Sequence, residues 1–176
     1  MIKKFLLAFL LMSHGMTSYA VDLYAGVDAN YILSEIESGD AKADFKPLAV
    51  SGRVGFYLEQ GVGLELYGMT GAEDEDLDIE LGLNYMAGVA ARFESPESEG
   101  GKIYILLGYG ITELDMDRSG SSEPGKATFH DFNYGAGLEF RLGGADQLFV
   151  NLQAVRYYAQ DEIQIDGASL GLRYKF

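Results

Sequence analysis

Apolar and polar residues alternate along almost the whole chain, with a period of two. Such alternation is typical of β-strands that turn one face to an apolar environment, whereas an amphipathic helix repeats about every 3.6 residues. Beyond residue 20 no segment has the helical repeat, so we expect an all-β protein. The pattern predicts eight strands: Asp22–Ser34, Leu48–Glu59, Val62–Thr70, Leu77–Phe93, Lys102–Thr112, Thr128–Leu142, Gln147–Tyr158 and Ala168–Phe176.

The fourth predicted strand has the clearest pattern, with apolar residues at every second position from Leu77 to Phe93. In the seventh strand Arg156 interrupts the apolar face. An even number of strands, joined by turns and loops, favours an antiparallel up-and-down β-barrel. One barrel domain, residues 21–176, accounts for all eight strands.

Alternation alone leaves open which face of the barrel looks inward. A soluble barrel of the lipocalin type has its apolar face inside, whereas a barrel in a membrane turns that face to lipid. The glycines favour the second arrangement. Only Gly52 and Gly68 lie on the apolar face of the predicted strands, and the narrow interior of an eight-stranded barrel needs small residues. The glycines on the polar face are Gly26, Gly55, Gly63, Gly82, Gly88, Gly108, Gly110, Gly135, Gly137 and Gly171.

Aromatic residues on the apolar face fall into two groups, one near each end of the barrel. This distribution is typical of the two aromatic girdles of a barrel in a bilayer. We therefore expect an eight-stranded antiparallel transmembrane β-barrel rather than a soluble sandwich. One group is Phe56, Phe93, Phe140, Tyr174 and Phe176, and the other is Tyr31, Phe132 and Tyr134.

The first twenty residues predict a secretory signal peptide. MIKK is a short basic start, FLLAFLLM is an apolar run, and Ser18 and Ala20 occupy small-residue cleavage positions. The apolar run is shorter than the roughly 20 residues that a membrane-spanning helix needs. We expect cleavage after Ala20 and export from the cytoplasm.

Composition narrows the range of partners. Loss of Lys3 and Lys4 with the signal peptide would leave 11 basic residues against 27 acidic ones, a net charge of −16. Such a chain repels nucleic acid, so we expect no nucleic-acid partner. There are no cysteines, so an exported protein of this sequence must be stable without disulfides.

The end of the chain carries a resemblance to a known family. The segments FNYGAGLEFRL, LFVNLQAVRYY and ASLGLRYKF resemble the closing strands of the small eight-stranded outer-membrane β-barrel family, which includes outer-membrane proteins A and X and the attachment-invasion barrel. The resemblance covers the whole mature chain and is strongest from Phe132 to Phe176. We expect no peptidoglycan-binding domain like that of protein A after the barrel, so that function is not carried over.

The resemblance implies a location and several partners. In the family, a terminal phenylalanine preceded by apolar residues at alternate positions is the signal for the outer-membrane assembly machinery. The chain would then be a monomer in the outer membrane of a Gram-negative bacterium, with outer-membrane lipids and lipopolysaccharide around it. The matching residues are Ala168, Leu170, Leu172, Tyr174 and Phe176.

Charged residues on the inward face form the first candidate site. Buried charges are very unfavourable unless opposite signs pair, so we expect a salt-bridged network that closes the lumen. The family resemblance implies a blocked lumen as well. The alternative is a narrow, gated pore in which exchange of ion pairs opens a path for water. The predicted network is Asp28, Arg53, Glu65, Glu80, Glu139 and Arg173, and Arg92 and Arg141 share this face.

The predicted outer loops are acidic and form the second candidate site. Carboxylates near a phosphate-rich leaflet invite bridging by Ca²⁺ or Mg²⁺. None of the runs has the spacing of an EF-hand, so we predict solvated loops and no tight metal site. The acidic residues are Glu35, Glu37, Asp40, Asp44, Glu73, Asp74, Glu75, Asp76, Asp78, Glu113, Asp115, Asp117, Glu123, Asp161, Glu162 and Asp166.

His130 is the one residue that suggests an enzyme. It lies at the outer start of the sixth predicted strand, near Ser119, Ser121 and Ser122 and beside Asp131. Outer-membrane barrels that modify lipid A use a histidine with a serine at this rim. No GxSxG, CxxC, HExxH or phosphate-binding loop is present. We therefore predict no catalytic residues and no cofactor.

The sequence thus predicts an outer-membrane barrel with a structural or surface-interaction role, with both termini in the periplasm and four acidic loops outside. A narrow porin is the alternative, and a lipid-modifying enzyme is the third possibility.

Overall fold

The computed structural model describes residues 22–38, 41–76, 79–118, 125–143, 146–160 and 163–176. Every regular element in these ranges is a β-strand, as the alternation predicts. None of the described residues forms a helix long and apolar enough to cross a membrane. In chain order the strands are β1 (Leu23–Ser38), β2 (Ala41–Phe45), β3 (Leu48–Glu59), β4 (Val62–Gly71), β5 (Glu73–Asp76), β6 (Ile79–Glu94), β7 (Gly101–Arg118), β8 (Gly125–Arg141), β9 (Leu148–Gln160) and β10 (Ile163–Lys175).

Eight of these strands close into a barrel. Each is antiparallel to its neighbours, and β10 pairs with β1 from Lys175 opposite Tyr24 upward, so closure is complete. The two short strands lengthen the wall, because β2 pairs with the end of β1 and β5 with the start of β6. The predicted eight-stranded antiparallel barrel is therefore confirmed. We call the end that holds Asp22 and Phe176 the termini end, and the opposite end the loop end.

The strands β7 and β8 extend further toward the loop end than the pattern predicts. β7 ends at Arg118 instead of Thr112, and its pairing with β8 continues to Met116 opposite Gly125. The apolar alternation on the outer face stops earlier because an outer face that stands in water needs no apolar residues, whereas Leu114 of this extension packs inside the barrel. β10 also begins earlier, at Ile163, five residues before the predicted strand, and Ile165 of this added part is only 1% exposed and packs inside the barrel.

The outer face of the barrel is apolar around its whole circumference. Leu48 is 66% exposed and Phe132 is 75% exposed, and many large apolar side chains share this orientation. A soluble monomer rarely exposes so large an apolar surface, whereas a barrel in a bilayer requires it. The predicted girdle residues Phe93, Phe140 and Tyr174 are among the exposed side chains.

Glycines separate the two faces as predicted. A Cβ atom at Gly55 would overlap the ring of Tyr24, and one at Gly137 would overlap the ring of Tyr104, both inside the barrel. A Cβ atom at Gly52 would meet nothing within 4 Å, because this position faces outward. Interior glycines therefore make room for large interior side chains.

One part of the predicted alternation is wrong. A β-bulge between Leu83 and Tyr85 inserts an extra residue into β6 opposite β7. Leu83 is only 2% exposed and packs inside, whereas Tyr85 faces outward. A bulge reverses the parity of a strand, which a pattern of apolar residues cannot reveal.

The interruption at Arg156 also has a local explanation. Arg156 lies on the outer face, where its Nε donates to Asp166 Oδ1 at 2.8 Å. An extra residue in β9, Tyr157, shifts the register between Ile165 and Asp166 and places the carboxylate opposite the guanidinium. The pair satisfies a charge that would otherwise break the apolar face.

The backbone pairing between β8 and β9 stops before the loop end. It reaches Tyr134 opposite Arg156 and no further among the described residues, although β8 pairs with β7 as far as Gly125. Beyond this point the side chain of Asp131 accepts a hydrogen bond from Ala159 N–H at 3.3 Å. The first part of β8, residues 125–133, is thus unpaired on the side that faces β9.

Candidate functional site: the charged interior of the barrel

The interior of the barrel is layered from one end to the other. Inward positions carry charged and aromatic residues near the termini end, smaller polar residues in the middle, and apolar residues near the loop end. Alternation places all of these side chains inside, since each occupies every second position of its strand. The charged layer is the candidate site.

Glu139 lies at the centre of the charged layer and is 0% exposed. Its Oε2 accepts a hydrogen bond from Arg92 Nη2 at 2.8 Å, and its Oε1 accepts one from Arg173 Nη2. The ammonium of Lys102 lies 3.3 Å from Oε1. One buried carboxylate therefore faces three cations.

Glu94 is the second carboxylate of this layer. Its Oε1 lies 2.6 Å from Arg92 Nε and 3.0 Å from Arg173 Nη1, and Lys102 Nζ donates to Oε2. The hydroxyl of Tyr57 donates to Oε1 at 2.7 Å. Charge-assisted hydrogen bonds of this kind offset the loss of hydration that burial imposes on each charge.

Aromatic rings support the guanidinium groups. Arg92 Cζ lies 3.5 Å from the centre of the Tyr104 ring, and Arg173 Cζ lies 4.7 Å from that of Tyr24. The Tyr24 hydroxyl donates to Glu65 Oε2 at 3.0 Å. The flat guanidinium stacks on a ring while its edges remain free to donate to carboxylates.

A second ion pair lies toward the middle of the barrel. Arg53 Nη2 and Nε donate to Asp28 Oδ2 at 2.5 and 2.9 Å. Arg53 Nη1 donates to Gln153 Oε1 at 2.7 Å, and the Tyr104 hydroxyl donates to the same oxygen at 3.1 Å. Arg53 Nη1 also lies 3.6 Å from Glu65 Oε1, which connects this ion pair with the charged layer near the termini end.

The structure brings together five of the six residues that the sequence predicted for the lumen. The side chain of Glu80 lies outside the described residues. Arg92 joins the network, but Arg141 does not. Arg141 lies at the rim of the termini end, 2.6 Å from Glu97 Oε1 and 3.0 Å from Asp146 Oδ1. The five residues that meet are Asp28, Arg53, Glu65, Glu139 and Arg173.

Sequence reasoning missed several members of the network. Lys102 occupies an inward position of its predicted strand, so parity alone would have placed it inside. Glu94 lies one residue beyond the predicted end of its strand, and β6 includes it. The interior tyrosines share the same parity, but their apolar rings gave no reason to expect a role beside charges. The missed residues are Tyr24, Tyr57, Glu94, Lys102, Tyr104 and Gln153.

Apolar side chains fill the barrel toward the loop end. The sequence predicted a polar interior, which is wrong for this part: Ile32, Met69 and Leu106 are each at most 5% exposed and pack together. Between this layer and Arg53 lies a cavity of about 20 Å³. Such a volume holds about one water molecule.

Few of the acidic loop residues have described side chains. At the tip of the β7–β8 hairpin, Lys126 Nζ lies 3.2 Å from Asp115 Oδ1 and 3.2 Å from Glu113 Oε1. Hydrogen bonds to these two carboxylates raise the pKa of Lys126 above its usual value. Within the described ranges no three acidic or histidine side chains form a group that could hold a metal ion, and the absence of a tight metal site stays a prediction.

The suggested histidine site is not assembled in the described part of the chain. His130 and Asp131 are consecutive residues of β8, so their side chains point to opposite faces of the strand. Asp131 Oδ1 instead accepts a hydrogen bond from Phe132 N–H at 2.7 Å. The three serines at positions 119, 121 and 122 lie outside the described residues.

A closed antiparallel barrel with an apolar outer belt and a charged interior defines the class of transmembrane β-barrel proteins. A sequence model of the outer membrane protein beta-barrel domain matches residues 5–176, and the chain belongs to this family. It is therefore an outer-membrane β-barrel protein. No curated protein sequence matches the chain.

Solved structures of outer-membrane barrels have the same fold. Neisserial surface protein A (NspA) superposes with a TM-score of 0.68 at 15% identity, over 88% of this chain and 97% of that protein. Ail of Yersinia pestis gives 0.58 at 17% identity, over 88% and 99%. The N-terminal barrel of Pseudomonas aeruginosa OprF gives 0.56 at 18% identity, over 86% and 97%.

Proposed function

We propose that the protein is a closed barrel that anchors acidic hairpins in the outer membrane and presents them to partners outside the cell. The filled interior is the observation that supports this role most directly. The ion-paired network occupies the termini half of the lumen, and the apolar cluster around Met69 and Leu106 occupies the rest. A wide water path would require both layers to move.

The resemblance to other outer-membrane barrels supports an orientation with the termini end in the periplasm. With the termini end in the periplasm, the hairpin of β7 and β8 stands outside the apolar belt, at the cell surface. The acidic residues of the four loops would give this surface a strong negative potential. Such a surface attracts cationic partners and repels polyanions.

The structural neighbour Ail offers a contrast in the charge of the ligand. The structure of Ail was solved in complex with the heparin analogue sucrose octasulfate. The acidic loops of this chain should repel the same ligand, so we expect no measurable binding of sucrose octasulfate at physiological salt. Saturable binding in isothermal titration would contradict the proposed negative surface.

Cells that lack the chain provide the test of the anchoring role. We would complement them with the wild type or with a variant in which residues 113–126 are replaced by a two-residue turn. Adhesion and resistance to detergents should return with the wild type only, while heat-modifiable gel migration shows that both barrels fold. Full complementation by the shortened variant would exclude a role for this hairpin.

A further inference from the structure

A wide vestibule opens at the termini end of the barrel. It has a volume of about 620 Å³ and lies between the turn that joins β3 to β4 and the loop that joins β6 to β7. Tyr57, Glu94, Lys102 and Lys175 form its base, next to the charged layer of the lumen. Pockets of this size accommodate small ligands.

Cations crowd together at the base of the vestibule. Lys175 Nζ lies 5.1 Å from the centre of the Tyr57 ring and 4.9 Å from that of Phe149. Lys102 Nζ lies 5.9 and 5.4 Å from the same two rings, and Arg173 Cζ lies 5.9 and 5.7 Å from them. Three positive groups therefore share one pair of aromatic rings.

Among the described residues, only two of these three cations form an ion pair with a carboxylate. Lys102 and Arg173 pair with Glu94 and Glu139. In the described part of the chain no carboxylate forms an ion pair with Lys175, although its side chain is only partly exposed. A partly desolvated ammonium beside two other cations is unfavourable unless an anion approaches it.

We propose that the vestibule binds a phosphate-type oxyanion at Lys175, with Lys102 as a second contact. An ammonium offers three donors to phosphate oxygens, and the charge on both groups strengthens each hydrogen bond. The vestibule lining also carries carboxylates that disfavour larger polyanions, namely those of Asp22, Glu59, Glu94 and Glu97. The phosphate could belong to the headgroup of a lipid in the adjacent leaflet or to a free anion.

The first experiment uses inorganic phosphate. The chain is folded in a neutral, phosphate-free detergent and titrated with phosphate by calorimetry. We expect saturable binding that Lys175→Gln weakens about tenfold or more, the effect of losing one strong charged contact. Lys175→Arg should retain binding, and Lys126→Gln, an exposed lysine at the loop end, should leave the affinity unchanged.

The second experiment distinguishes the two sources of phosphate. Native mass spectrometry of the chain from phosphatidylglycerol nanodiscs should show a retained lipid if a headgroup is the occupant, and free phosphate should displace it. A free anion as the occupant gives saturable phosphate binding with no retained lipid. The absence of binding in both experiments would overturn the proposal, as would equal affinities of the Lys175→Gln and Lys126→Gln variants.

A measurement on the wild type covers the case in which Lys175→Gln fails to fold. Acylation of each lysine is followed by peptide mass spectrometry with and without phosphate. Phosphate should slow the modification of Lys175 at least severalfold and leave Lys126 unchanged. Equal protection of both lysines, or of neither, would contradict a site at Lys175.

Discussion

At the scale of single residues, the charged layer depends on a few carboxylates that each serve several cations. Glu139 forms ion pairs with both Arg92 and Arg173 and lies within reach of Lys102. Glu94 is the second carboxylate that these cations share. Loss of a partner that several buried charges share is more harmful than loss of one member of an exposed pair.

Replacement of Glu139 by glutamine therefore tests the network. The variant leaves two buried guanidinium groups without a full counter-charge, and we expect its free energy of unfolding to fall by about 3 kcal/mol. The chain has no tryptophan, so the unfolded fraction is measured by cold gel migration in increasing urea. The control is Glu97→Gln at the rim, where Glu97 pairs with exposed Arg141, and it should change the midpoint very little. Equal shifts would contradict the buried network.

Glycine positions provide a matched test of the two faces. At Gly137 a Cβ atom would overlap the Tyr104 ring and lie 2.6 Å from Leu152 O, so Gly137→Ala should destabilise the barrel by about 1–3 kcal/mol. At Gly52 there is open space outside, so Gly52→Ala should be neutral or stabilise by up to about 1 kcal/mol. The same urea titration compares the two variants. A larger loss of stability in Gly52→Ala than in Gly137→Ala would mean that the inner and outer faces are misassigned.

The orientation of most side chains could be predicted from the sequence, because parity in a strand assigns every residue to a face. Parity did not show which inward charges meet. That depends on the stagger between strands, which brings Arg92 of β6, Glu139 of β8 and Arg173 of β10 to one level. Nor did it identify Lys175 as a cation that forms no ion pair within the described ranges, since this follows from distances alone.

At the scale of elements, the unpaired edge of β8 is the least secure part of the wall. From Gly125 to Asn133 the backbone of β8 pairs with β7 and, among the described residues, not with β9. On the other side, the rings of Phe129 and Tyr158 lie 4.9 Å apart and close the gap to β9. Side-chain contacts of this kind hold two strands together less firmly than a ladder of backbone hydrogen bonds.

Hydrogen exchange should reveal this edge. Among residues 125–133, the alternate amides that point away from β7 have no strand partner and should exchange much faster than those that point toward it. The segment of β8 from Tyr134 to Phe140 pairs with strands on both sides, so all of its amides should be protected. NMR exchange rates of the protein in detergent provide the measurement. Uniform protection of residues 125–133 would mean that a strand pairs with this edge.

The irregular parts of the strands could not be predicted from the sequence, and the reason is physical. The bulge at Leu83 does not interrupt the apolar pattern of the sequence, because a leucine is equally compatible with a position that faces lipid and with the apolar layer inside. In the extended hairpin of β7 and β8 the pattern changes phase, because Leu114 packs inside the barrel whereas the polar residues Glu113 and Asp115 lie on the outer face. Regular strands were therefore found easily, and their departures from regularity were not.

At the scale of the whole molecule, the barrel separates three environments. Lipid contacts the apolar belt, the lumen holds ion pairs and an apolar layer, and acidic loops extend from one end. The barrel class and its membrane face could be predicted, because both depend on a pattern that runs through the entire chain. The apolar layer inside was not predicted, because the polar character of most inward positions suggested a polar lumen throughout, although parity places Leu106 on the inward face.

The central claim is that these two interior layers keep the lumen closed, and single-channel recording in planar bilayers tests it most directly. For the purified wild type we expect a flat baseline with no conductance steps at either polarity. Arg53→Ala removes the partner of Asp28 but leaves the apolar layer and the Glu139 cluster in place, so its baseline should also stay flat. Reproducible conductance steps from the wild type, altered in size by Arg53→Ala, would contradict a closed barrel and establish a pore.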